Sequence, residues 1–107
     1  MPDLMDMMKQ ARQLQEKLEE LQREVAAMEI DGSAGGGLVR VTVDGKGALK
    51  AVKMDPSVVK PDEVEILEDL IVAAAAEARG KAERAAQAKM QELAGGLPLP
   101  PGFTLPT

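Results

Sequence analysis

Apolar residues recur every seven positions through the first quarter of the chain. Leu4, Ala11, Leu18 and Val25 share one heptad position, and Met7, Leu14, Leu21 and Met28 share the position three residues on. Glutamine, glutamate, lysine and arginine fill most of the positions between. This seam predicts a coiled-coil-type helix whose apolar stripe must pack on another helix, from the same chain or from a second copy. Pro2 at the start, with Asp3 and Asp6 in the first turn, suits a helix N-terminus. The helical reading holds to about residue 24. Beyond it, Val25, Met28 and Ile30 fit a helix end and a strand start equally.

The pattern then changes period. Gly32-Ser33-Ala34-Gly35-Gly36-Gly37 breaks any helix. Val39, Val41 and Val43 alternate with Arg40 and Thr42, which predicts a half-buried strand. Asp44-Gly45-Lys46-Gly47 predicts a hairpin turn, because glycines supply the positive φ angles such turns use. The return strand is expected over Ala48–Met54. Its alternation slips: Leu49 fits one face while Val52 and Met54 fit the other, and a bulge near Lys50–Ala51 reconciles them. Two strands alone are marginal. A third, from about Val25 to Ser33, completes an antiparallel meander.

Asp55-Pro56-Ser57 reads as a turn, and Pro61 as the first residue of a helix. A long helix is expected over Asp62–Leu93, with Val64, Leu67, Leu70 and Ile71 inward and Glu65, Glu68 and Asp69 outward. The run Val72-Ala73-Ala74-Ala75-Ala76 predicts close approach of another backbone. Gly80 marks either a kink or a close contact, and Gly95-Gly96 closes the helix. One domain is expected over 1–96. Residues 97–107 carry Pro98, Pro100, Pro101 and Pro106, which predicts an extended, mobile tail. Leu97, Leu99, Phe103 and Leu105 leave open a second reading, a docking strip for another subunit or a partner. The fold class is α+β, in the order α-β-β-β-α.

Composition removes most chemistry. The 107 residues contain no cysteine, histidine, tryptophan or tyrosine. Disulfides, Cys/His zinc sites and His-based acid–base or nucleophilic catalysis are thereby excluded. The glycine run is followed by Leu38 and Val39 and leads into a strand, whereas a phosphate loop carries Lys-Ser or Lys-Thr and opens a helix. Glu65, Glu68 and Asp69 lack the further oxygen ligands of a dedicated cation site. No enzyme, metal site, cofactor or small-molecule substrate is expected. No apolar run is long enough to span a membrane, and no signal peptide is read, so a cytoplasmic protein is the default.

The net charge of −5 argues against nucleic acid on its own, but the charge is unevenly spread. Arg40, Lys46, Lys50 and Lys53 face only Asp44 within 38–54. Arg79, Lys81, Arg84 and Lys89 outnumber Glu83 and Glu92 within 79–92. Lys9, Arg12 and Arg23 fall outside the heptad seam. Such residues suit phosphate contacts rather than base reading, and the near absence of aromatics disfavours recognition by stacking. Charge alone fits a solvated surface better than a binding face.

Several segments together resemble the bacterial YbaB/EbfC family. The stretch from Gly35 to Gly47 is similar to its glycine-rich hairpin, and Val52-Lys53-Met54-Asp55-Pro56-Ser57 to its strand exit. Glu65 to Ala74 resembles the opening of its long helix. Lys89-Met90, Gly95-Gly96-Leu97 and Leu99-Pro100-Pro101-Gly102-Phe103 resemble its C-terminal end. The resemblance covers nearly the whole chain. It implies a nucleoid-associated protein of the bacterial cytoplasm that binds double-stranded DNA as a tweezer-like homodimer with little sequence preference. Lys60 departs from the acidic helix cap common in the family, and Gly80 interrupts the long helix.

Joined to the charge pattern, the resemblance nominates Lys9, Arg12, Arg23, Arg79, Lys81, Arg84 and Lys89 for phosphate contacts. Leu14, Leu18 and Leu21, with Val39, Val41 and Val43, are the packing and dimer candidates. The competing expectation is a helical, dimeric adaptor that binds protein partners without touching DNA.

Overall fold

The computed structural model describes residues 3–96, so both readings of the segment 97–107 lie outside the described residues. Helix α1 (Leu4–Ala27) leads into strands β1 (Ile30–Ala34), β2 (Val39–Val43) and β3 (Leu49–Met54). Two short 3-10 turns, Pro56–Val58 and Pro61–Glu63, then precede helix α2 (Val64–Gly96). The strands form an antiparallel sheet in the order β1-β2-β3. This is the expected α-β-β-β-α order.

Asp3 caps α1, its carboxylate accepting the Asp6 amide at 2.8 Å. The helix runs to Ala27, past the expected limit. Val25 is therefore a buried helical residue, and the first strand starts at Ile30 rather than near Val25. The reason lies across the chain. The Val25 carbonyl accepts the Gly45 amide at 2.9 Å, so the last turn of α1 is seated on the hairpin turn.

Val39, Val41 and Val43 are at most 1% exposed and point to one side of the sheet. Opposite them on β3, Thr42 faces Ala51 but Val43 faces Leu49, which leaves Lys50 as the extra residue of a bulge. The slip in the sequence pattern is thus real. It returns Leu49, Val52 and Met54 to the same face as the three valines.

Helix α2 lies across that face. Ala74, Ala78 and Ala82 are buried against the valines, with Leu67, Leu70 and Ile71 packed around them. Side chains this small bring the helix axis close to the sheet. A Cβ added to Gly32 would collide with the Ala74 carbonyl and the Ala78 backbone, so β1 meets α2 backbone to backbone. Val64, expected inward, is 48% exposed; it sits in the first turn, ahead of the alanine stretch that meets the sheet. The helix also outlasts its expected bounds, with Gly95 and Gly96 as its final residues rather than its cap. Gly80 makes no close approach: an added methyl would meet only the Arg84 guanidinium, at 3.6 Å, and α2 is unbroken there. Lys60 offers no side-chain bond at the helix entry and instead pairs with Glu63 at 3.8 Å.

The described residues span 72 × 22 × 16 Å. Helix α2 accounts for about 50 Å of that length at ~1.5 Å per residue. The remainder is α1, which projects past the end of α2.

Candidate nucleic-acid interface

The seven basic residues nominated from sequence do not converge on one patch. Lys9 and Arg12 lie on the projecting half of α1, and Arg23 near its packed end. Arg79, Lys81, Arg84 and Lys89 follow one another along α2. All but the half-buried Lys89 are exposed. They differ in how their charge is used. The Lys81 ammonium donates to the Asp31 carbonyl at 3.2 Å and pairs with Glu77 at 3.1 Å, fastening α2 to β1. Lys89 pairs with Glu24 at 3.7 Å and Glu92 at 3.8 Å, tying α2 to α1. Lys9, Arg12, Arg23, Arg79 and Arg84 make no ion pair among the described residues.

Two further basic placements appear only in three dimensions. The first is at the hairpin tip. Lys46 and Arg79 line one open groove of about 950 Å³, beside Gly47 and along the face of α2 that carries Ala82, Ala86 and Met90. The Arg79 aliphatic stem passes so close to Gly47 that an added Cβ there would lie 3.8 Å from it. The second is on the outer sheet face, where Arg40 and Lys53 are direct register partners. Like charges placed opposite each other disfavour strand pairing, so neither contributes to holding the sheet. Both pairs were visible in the sequence as separate basic residues. What places them side by side is the pairing register of β2 with β3 and the packing of α2 beside the hairpin turn.

Glu83 lines the same groove as Lys46 and Arg79, and three other acidic groups in this region are engaged. Asp44 accepts the Lys46 amide at 2.8 Å and the Ala48 amide at 3.0 Å. Its carboxyl is held below the ordinary aspartate value of 3.8, first by the Ala48 amide, then by the Lys46 amide and the Lys50 and Lys46 charges. Glu77 is lowered by its hydrogen bond to Lys81 and that ammonium's charge. Asp31 accepts the Thr42 hydroxyl at 2.7 Å on the outer sheet face. Among the described residues, no three carboxylates gather in a metal-binding group.

The packing candidates divide as well. Val39, Val41 and Val43 are consumed by the core of a single chain. Leu21 is buried, whereas Leu14 and Leu18 are only half covered. A different apolar surface is left over. Helix α2 covers β1 and β2 but not β3, where Leu49, Val52 and Met54 stay 59%, 36% and 42% exposed. Val72, two helical turns before Arg79 on the same side of α2, is 68% exposed.

Comparison with known proteins agrees with the fold and adds a family. Residues 1–97 match the model of the YbaB/EbfC DNA-binding family. A nucleoid-associated protein of Brucella ovis is 58% identical over 106 residues, covering 99% of each chain. One of Agrobacterium fabrum is 57% identical over the same length and coverage. The crystal structure of an uncharacterized Helicobacter pylori protein superposes with a TM-score of 0.63 at 18% identity. It covers 87% of this chain and 94% of its own, and it supports the fold alone.

Proposed function

We propose that this chain, which belongs to the YbaB/EbfC DNA-binding family, binds double-stranded DNA as a homodimer, reads little of its sequence, and helps organise nucleoid DNA without catalysing a reaction. The observation that carries this is the set of exposed basic side chains left without ion pairs among the described residues: Lys9, Arg12, Arg23, Arg40, Lys46, Lys53, Arg79 and Arg84. A protein of net charge −5 that neutralised its own cations would pair them. Here Lys50, Lys81 and Lys89 pair where segments meet and Lys17 and Lys60 pair locally, while the cations without pairs stay exposed along the two helices and on the sheet. Charges so arranged meet phosphates and leave base edges unread.

The uncovered half of the sheet supports the homodimer reading. Leu49, Val52 and Met54 share the sheet face of the core valines but stay exposed, and β3 is an edge strand. A second copy supplying the same strip covers both at once, with self-complementary two-fold geometry.

Fluorescence anisotropy of a labelled duplex across a salt series tests this reading. Saturable binding that weakens linearly in log salt, on duplexes of unrelated sequence alike, is the expected result. Each neutralised phosphate adds about −0.9 to the slope. Background binding at low salt would overturn it and leave a dimeric helical adaptor for protein partners.

A further inference from the structure

The outer face of the sheet carries two cations with no role in holding it. Arg40 on β2 stands between Ser33 on β1 and Lys53 on β3, its register partners on either side. Helix α2 packs on the opposite face, and Arg40, Ala51 and Lys53 are exposed. Cross-strand partners bring their Cβ atoms to about 5 Å, so a guanidinium and an ammonium share one small patch at a cost to strand pairing. Neither is relieved by a carboxylate among the described residues. Asp31 accepts the Thr42 hydroxyl at 2.7 Å, Asp55 accepts the Ser57 amide at 2.9 Å, and no ion pair reaches Arg40 or Lys53.

The glycine turn before β2 adds to this patch. Gly36 and Gly37 have φ of 69° and 94°, and a Cβ on Gly36 would meet nothing within 4 Å. A Cβ on Gly37 would lie 3.7 Å from Nη2 and 3.9 Å from Nε of Arg40, so the guanidinium rests beside bare backbone. The Gly36 and Gly37 amides donate to no backbone or side-chain acceptor among the described residues. Successive free amides in a turn of this kind form a concavity that takes an anion. We infer that the Gly36–Gly37 turn, Arg40 and Lys53 form a binding site for a phosphate group. Arg40 offers a planar fork, Lys53 a point charge and the turn its amides. Donors on three separate segments suit the tetrahedral oxygens of a phosphate better than the coplanar pair of a carboxylate. The group belongs either to a duplex backbone or to a free phosphate. With the first source the inference rests on the proposed function and deepens it, bringing the outer sheet face against DNA. With the second it needs no DNA.

Amide resonances of the isotope-labelled full chain test the site, because Gly36 and Gly37 report on it directly. A short duplex at low salt is one titrant. Sodium phosphate is the other, compared with sodium chloride at matched ionic strength. Both glycine resonances are expected to move with the phosphate-bearing titrants and to stay in place with chloride. Movement with the duplex assigns a backbone phosphate, and movement with sodium phosphate alone assigns a free one. Lys53→Glu sets a carboxylate opposite Arg40 and is expected to abolish the movement. It should melt no lower than the parent chain, since opposite charges across a strand pair are favourable. Arg40→Gln is expected to abolish the movement as well. Duplex binding by anisotropy, with Gly36 and Gly37 unmoved by either titrant, would overturn the site and leave the proposed function standing. No duplex binding, with movement in sodium phosphate, would overturn the proposed function and leave the site. Equal movement in chloride, or movement that survives both substitutions, would overturn the inference.

Discussion

The Gly45 amide donates to the Val25 carbonyl at 2.9 Å, joining the hairpin turn to the last turn of α1. Gly45 is glycine for space rather than for φ. A Cβ there would lie 2.5 Å from the Val25 oxygen, 2.6 Å from its Cγ1 and 3.0 Å from the Met28 sulfur. The turn's positive φ, 87°, belongs to Gly47. Gly45→Ala is therefore expected to push α1 off the hairpin and to cost about 1–3 kcal/mol by overpacking. Urea denaturation checks the stability. Hydrogen exchange checks the location, with faster exchange expected in the last turns of α1.

Two glycines, one facing α2 and one lying within it, should behave oppositely. Gly32→Ala forces a methyl into the α2 backbone at Ala74 and Ala78, where no side chain can yield, and about 3 kcal/mol or more of destabilisation is expected. Gly80→Ala adds a methyl in ordinary contact with the flexible Arg84 guanidinium on an unbroken helix and should stabilise by up to about 1 kcal/mol. Thermal denaturation should show the first melting well below the parent chain and the second above it.

The free and engaged cations separate by salt dependence. Replacing Arg79 and Arg84 with alanine is expected to flatten the log–log slope of DNA binding by about 0.9 for each phosphate that is no longer neutralised. Lys81→Ala is expected to leave the slope nearly unchanged and to lower stability, because its ammonium is held by Glu77 and the Asp31 carbonyl. Anisotropy titrations paired with melting curves distinguish the two outcomes.

Val52→Glu places a carboxylate on the uncovered strip of β3, where the single chain leaves room for it. Sedimentation should then report a species near the 11.3 kDa chain mass instead of twice that value. Circular dichroism should be unchanged. A dimer that survives the substitution would move the interface elsewhere.

Acid should loosen the hairpin first. The folded state holds the Asp44 carboxyl below 3.8, so its turn bonds contribute fully above that pH and fade as pH falls through the lowered value. Asp55 behaves alike, held down by the amide and hydroxyl of Ser57. Stability measured below pH 3.8 should fall with acid in the parent chain, and less steeply in Asp44→Asn.

The elements were legible because their signals are local. A seven-residue repeat, a two-residue alternation, a glycine run and well-placed prolines each act over a few neighbouring residues, and the strand slip at Lys50 could be read from the side-chain alternation alone. Even the alanine run announced a close backbone approach, although its partner, Gly32, could not be named. Family membership was legible for a different reason, since many weak segments matched in order.

The use made of each surface was not legible. Val25 and Leu4 occupy equivalent heptad positions, yet one is buried and the other 71% exposed, because α2 ends partway along α1. Lys81 and Arg79 stand two residues apart, yet one is bound into the fold and the other makes no ion pair among the described residues. Val52 and Val41 face each other across the sheet, and only the second lies beneath α2. Periodicity assigns a residue to a face. Whether that face is covered depends on the lengths and packing angle of elements distant in the chain, which emerge only when helix and sheet meet.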